Sequence, residues 1–150
     1  MFCASFLILI YLGITNEIGN ISENNKIDNP YFHTKNHIYQ YYQSGAKYVG
    51  ERKAVRDIFN TKKFNLSSIP NGWITIRFIV NYQGITDRFR FFCISNNYRE
   101  LQINKHLEQE LLKAVKSLHN WEVGKFEGKK VDSYYQITLK IENAKIIDIF

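Results

Sequence analysis

Two cysteines, two prolines and one methionine are all that this chain of 150 residues holds of those types. Cys3 and Cys93 form no CxxC pair and no framework, so a disulfide-stapled scaffold, a zinc ribbon and a dithiol redox motif are all excluded. Cys93 lies inside an apolar run and reads as a buried free thiol. With only Pro30 and Pro70, the chain contains no Pro-rich spacer. No apolar run approaches the roughly 20 residues that a spanning helix needs. The longest, Met1 to Gly13, has the length of a secretion-signal core but no Lys or Arg before it. Export is the preferred reading, over an N-terminal strand or core helix. Catalytic signatures are missing too: there is no GxSxG, HExxH, Gly-rich phosphate loop or usefully spaced Cys/His pair. Glu108 and Glu110 do not share a helix face. His33 and His37 have the spacing of two helical metal ligands, but no third ligand accompanies them. An enzyme is not expected, and neither a metal nor a cofactor is called for.

What is present is aromatic and basic. Phe, Tyr and Trp make up 15% of the chain, hydrophobic residues 45%, and the formal charge is +6. That suffices for one domain with a real core, and it favours acidic or anionic partners. Composition divides the chain into three regions: an apolar N-terminal segment over 1–15, an Asn/Tyr-rich linker over 16–46 expected to be poorly ordered, and a regular domain over 47–150.

Within the domain the periodicities are clear. Ala54, Val55, Ile58 and Phe59 share a helix face, with Arg52, Lys53, Arg56 and Asp57 outward. Ile74, Ile76, Phe78 and Val80 alternate along a strand, and Ile85, Phe89, Phe91 and Cys93 along its hairpin partner, with Asp87 in the same phase. Asn104 is placed to cap a second helix whose apolar stripe is Leu107, Leu111, Ala114, Val115 and Leu118. Val131, Ser133, Tyr135, Ile137, Leu139 and Ile141 point one way along a last long strand. Asp132, Tyr134, Gln136, Thr138 and Lys140 point the other, towards water. The run Ile146 to Phe150 reads as one more short strand. The expected fold is α+β: a small antiparallel three-stranded sheet with two helices packed on one face, in the order α-β-β-α-β.

The string GWITIRFIVNYQG, from Gly72 to Gly84, resembles the opening hairpin of the TonB C-terminal domain. The resemblance continues through the second helix, Trp121, Gly124, Gly128 and Val131 to the strand ending at Ile141, and covers most of Lys47 to Ile141. It departs from the family in lacking a full anchor, a Pro-rich spacer, a Tyr-Pro step before the first strand and a proline after the tryptophan. It implies a docking module of the periplasm or cell envelope, or one associated with the inner membrane. Such a module takes an extended peptide of an outer-membrane TonB-dependent transporter beside its last strand. The implied edge is Val131, Asp132, Tyr134, Gln136, Thr138 and Lys140, and an exposed edge also permits a homodimer. Trp121 reads as core packing, and Gly124 and Gly128 as turn glycines. No small-molecule substrate is expected.

An alternative of a different class is single-stranded nucleic-acid binding. The face bearing Trp73, Arg77, Arg88, Arg90 and Phe92 mixes cations with aromatics. Arg77 and Arg88 are expected near each other across the hairpin, where like charges repel unless an anion is bound.

Overall fold

The computed structural model describes residues 20–35 and 37–150. The signal-like segment expected over 1–15 lies outside the described residues. In chain order the elements are β1 (Ile38–Gln40), α1 (Tyr41–Ser44), β2 (Lys47–Tyr48), α2 (Glu51–Asn60), β3 (Gly72–Val80) and β4 (Thr86–Ser95). Then come α3 (Lys105–Lys116), β5 (Trp121–Glu122), β6 (Gly124–Phe126), β7 (Lys129–Glu142) and β8 (Lys145–Ile149).

The expected helices and strands are present, and β3 pairs antiparallel with β4 on one side and β7 on the other. Ile74, Ile76, Phe78 and Val80 of β3 and Ile137, Leu139 and Ile141 of β7 are buried in one core with Val55 and Phe59 of α2 and Leu107, Leu111, Ala114 and Val115 of α3. Burying each of the larger of these side chains, Ala114 excepted, contributes about 1.5–3 kcal/mol. Asn104 accepts the Leu107 N–H at 2.9 Å and caps α3. It satisfies one of the donors that a helix start leaves unpaired.

The sheet is larger than expected. It has six strands rather than three, because β1, β6 and β8 all pair with β7 as well. A separate two-stranded ladder joins β2 to β5. The difference lies in strands too short to show a period: β1 and β6 have three residues each.

The region expected to be a poorly ordered linker is instead built into the fold over its described part. Ile21 and Phe32 pack against Ile79 and Tyr134 on the sheet face opposite the helices. The segment lacks a ladder of its own there, so side chains of the sheet satisfy its backbone. Asp87 accepts the Asn29 N–H at 2.8 Å, Asp132 accepts the Lys35 N–H, and Asn81 donates to the His33 carbonyl at 3.0 Å. Such long-range bonds between side chains and backbone meet the demand that buried backbone groups be paired, yet they leave no periodic signal in the segment itself. Residues 20–35 thus form a strap across this face of the sheet.

A register shift re-aims the charged side chains of the hairpin. Between Arg77 and Ile79 the β3–β4 ladder contains a bulge, and Arg88 sits there at φ 59°. The bulge places Asp87 opposite Ile79, on the strap side, rather than in phase with the helix-side core. It also sets Arg90, not Arg88, opposite Arg77.

Candidate functional site

The expected docking edge of β7 is occupied over most of its length. Val131 lies opposite Gly124 of β6, and Asp132 and Tyr134 lie beside Ile38 and Gln40 of β1. Lys140 lies opposite Asp148 of β8, and Thr138 exchanges backbone hydrogen bonds of 2.8 and 3.0 Å with Phe150. The chain's own short segments therefore cover the edge that was expected to be open. Of the six residues, only Gln136 has no strand beside it on the outer side among the described residues. Backbone groups alternate in direction along a strand. Since Thr138 aims its N–H and C=O at Phe150, Gln136 aims its own into the gap between β1 and β8. A pocket of about 340 Å³ opens at this gap, bounded by Tyr41, Lys47, Arg52, Gln136 and Phe150.

The side chains expected to face water differ in fate along β7. Asp132 is fully buried and holds the Lys35 and Tyr82 amides, the latter at 2.8 Å. Tyr134 is buried beneath the strap, with its hydroxyl 3.3 Å from the Asn20 Oδ1. Neither is available to choose a partner. Thr138 hydrogen-bonds Thr75 across the ladder at 3.0 Å, and Lys140 pairs with Glu142 at 2.8 Å.

The glycines and Trp121 are structural. Trp121 stands edge-on to Tyr48, Phe78 and Tyr135 and donates its indole N–H to the Leu118 carbonyl at 2.8 Å. Gly84 and Gly128 adopt φ 82° and 75° in turns. Gly124 corrects the turn reading: it lies within β6, where a Cβ would come within 2.4 Å of the Ser133 Oγ and 2.5 Å of the Ser44 Oγ. Those two hydroxyls hydrogen-bond each other at 2.7 Å, and the glycine lets β6 approach them. Gly72 is also a close-approach position, since a Cβ there would meet the Ile94 carbonyl oxygen at 2.1 Å.

Two arginines that sequence reading assigned to a solvated helix face turn out to hold the edge. Arg52 and Arg56 of α2 converge on Asp148 of β8, at 2.5 and 2.6 Å. The Arg52 guanidinium also lies 4.5 Å from the centroid of the Phe150 ring. The hydrogen bond from Arg52 holds the Asp148 carboxyl below its ordinary range. The only signal in the sequence was a pair of arginines one helical turn apart and a lone aspartate in an apolar tail.

The arginine face considered for nucleic acid is also engaged. Arg88 pairs with Glu23 of the strap at 3.0 Å. Arg90 grips both carboxylate oxygens of Asp28, at 2.8 and 2.7 Å, and the Ser22 carbonyl at 2.7 Å. Arg77 lies 5.8 Å from the centroid of the Tyr134 ring. Phe92 remains exposed, and Trp73 stacks on Tyr98. Among the described residues, no cluster of three or more His, Cys, Asp or Glu side chains is arranged to hold a metal ion. No helix among them is long and apolar enough to cross a membrane. No protein-family model, curated protein or solved structure matches the chain.

Proposed function

We propose that this protein is a peptide-docking module, resembling the TonB C-terminal domain, that takes an extended segment of an outer-membrane transporter by strand addition to the outer side of β7. On this reading it serves transport across the cell envelope and performs no catalysis. One observation carries the reading: the outer side of β7 is covered by separate short segments, which leave Gln136 facing a gap. A strand continuous with the fold would close the edge for good. Pieces of three and five residues contribute few backbone bonds each, so a longer peptide that pairs along the whole edge competes with them. Backbone pairing supplies affinity without a preformed apolar cleft.

The test is an NMR titration of the amide-labelled full chain with extended peptides from the periplasmic ends of such transporters. Shifts are expected first at Tyr135 to Thr138 and at Phe150. Gln136→Pro removes the outward N–H and should abolish those shifts in a folded variant. Undiminished binding by that variant would move the docking site elsewhere.

A further inference from the structure

Strand pairing reads backbone and is blind to sequence, so selectivity must come from side chains that line the edge. Three features at β8 show what those side chains accept. Ile149 is buried to 1% exposure in the main core, so one position of the paired strand must be aliphatic. Its neighbour Asp148 sits between Arg52 and Arg56. Phe150 lies under the Arg52 guanidinium.

The fit of Asp148 is incomplete. Each arginine engages it through a terminal nitrogen, and the Arg56 Nε is buried without a hydrogen-bond partner among the described residues. A guanidinium presents its donors as a planar fork suited to two-point contact with a carboxylate. A buried donor left unpaired carries a penalty that a better acceptor removes. A glutamate in the same register reaches one methylene further and can meet the terminal nitrogen and Nε of Arg56 together.

We infer that β8 is an intramolecular stand-in for the partner, and that the partner segment is an extended peptide with an acidic residue, best a glutamate, beside an aliphatic one, read by Arg52 and Arg56. The inference rests on the docking reading and adds the partner's chemistry. It favours a foreign segment over a second copy of this chain. A copy's own β8 would bring the same Asp148 and leave the same Nε unpaired. The net charge of +6 favours an acidic segment as well.

The experiment uses the full chain and three synthetic probes, capped peptides of sequence KIIEIF, KIIDIF and KIIQIF. Affinities are read by fluorescence polarisation, with amide shifts locating the site on β7. Asp148→Asn weakens the hold on β8 and should bind the Glu probe more tightly than the native chain does. In that variant the Glu probe should bind about tenfold more tightly than the Gln probe, the effect of one charge-assisted contact. Adding Arg52→Gln and Arg56→Gln, whose side chains are both partly exposed, should erase the Glu preference while leaving the near-UV tryptophan signal unchanged.

Equal binding of the Glu and Gln probes on β7 would overturn the acidic reading and leave the edge reading standing. Absence of binding by all three probes to a folded Asp148→Asn chain would overturn both. A dimer of that variant that the Glu probe cannot dissociate would make a second copy the occupant and overturn the inference.

Discussion

Cys93 shows how burial chiefly sets the chemistry of a residue. Its thiol is pushed up to about 11, chiefly by desolvation and secondly by the nearby Glu108. It is therefore a thiol at neutral pH, and alkylation mapped by mass spectrometry should spare it in the native state and reach it only on unfolding. Asp148 and Asp28 behave in the opposite sense. Burial would raise Asp28, but the hydrogen bonds from Arg90 and the Asn24 amide, together with the charges of Arg90 and Arg88, outweigh that and hold it below its ordinary value of 3.8. Asp148 is held below the same value by Arg52. A carboxyl lowered in the folded state stabilises fully above the unfolded value and loses that contribution as pH falls through the folded one. Both the strap and β8 should therefore loosen below about pH 3.8 and not in the neutral range. Amide exchange at Ile149 measured against pH checks this, and Asp148→Asn should remove the acid dependence there. Gly124 is fixed by its neighbours rather than by its conformation. Gly124→Ala should destabilise by about 1–3 kcal/mol in chemical denaturation, because Ser44 and Ser133 must separate to admit the Cβ.

At the scale of elements, the hairpin from β7 to β8 is the informative one. Its turn, Asn143 and Ala144, has φ 50° and 58°. Asparagine tolerates this left-handed region, but alanine does not favour it, and the strain costs about 1 kcal/mol. The hairpin is thus weakly encoded by its turn and depends on Ile149 and the two arginines to stay paired. Ala144→Gly should stabilise β8 by about 1 kcal/mol and weaken peptide binding to β7 by roughly the same amount, because the peptide competes with a firmer occupant. Thermal denaturation and peptide titration of one variant would check both signs. The helices contrast with this hairpin. Their apolar stripes, and the Asn104 cap on α3, agree with the layer they cover, so their positions follow from their own sequences.

For the whole molecule, the distribution of charge matters more than its sum. Glu23 and Asp28 of the strap lie against Arg88 and Arg90 and neutralise the face that would attract a nucleic acid. The native chain should therefore bind single-stranded oligonucleotides weakly, with a shallow dependence on salt. Glu23→Gln with Asp28→Asn should lower stability by about 3 kcal/mol, mostly through the uncompensated Arg90. If the freed face binds nucleic acid, the same variant should also steepen the salt slope by about two charges. Filter binding across a salt series reads that slope.

The sequence by itself determined whatever depends on regular periods and local chemistry. That covers α2 and α3, the β3–β4 hairpin, the alternation of β7, the cap at Asn104 and the burial of Cys93. A helix or strand that covers a core must repeat at 3.6 or 2 residues, and that repeat is readable wherever the element is long enough. Tertiary structure alone decided the six-stranded sheet, the place of the strap and the occupation of the β7 edge. β1 and β6 are too short to show a period, and β8 is too short to show which strand it pairs with. The strap has no period because its backbone is satisfied by Asp87, Asn81 and Asp132, far away in the chain. The bulge at Arg88 moved Asp87 to the opposite face, an outcome that depends on ladder geometry rather than composition. Arg52 and Arg56 read as surface charge until Asp148 folds back between them, since the pairing of distant charges is set by which edge the last strand joins.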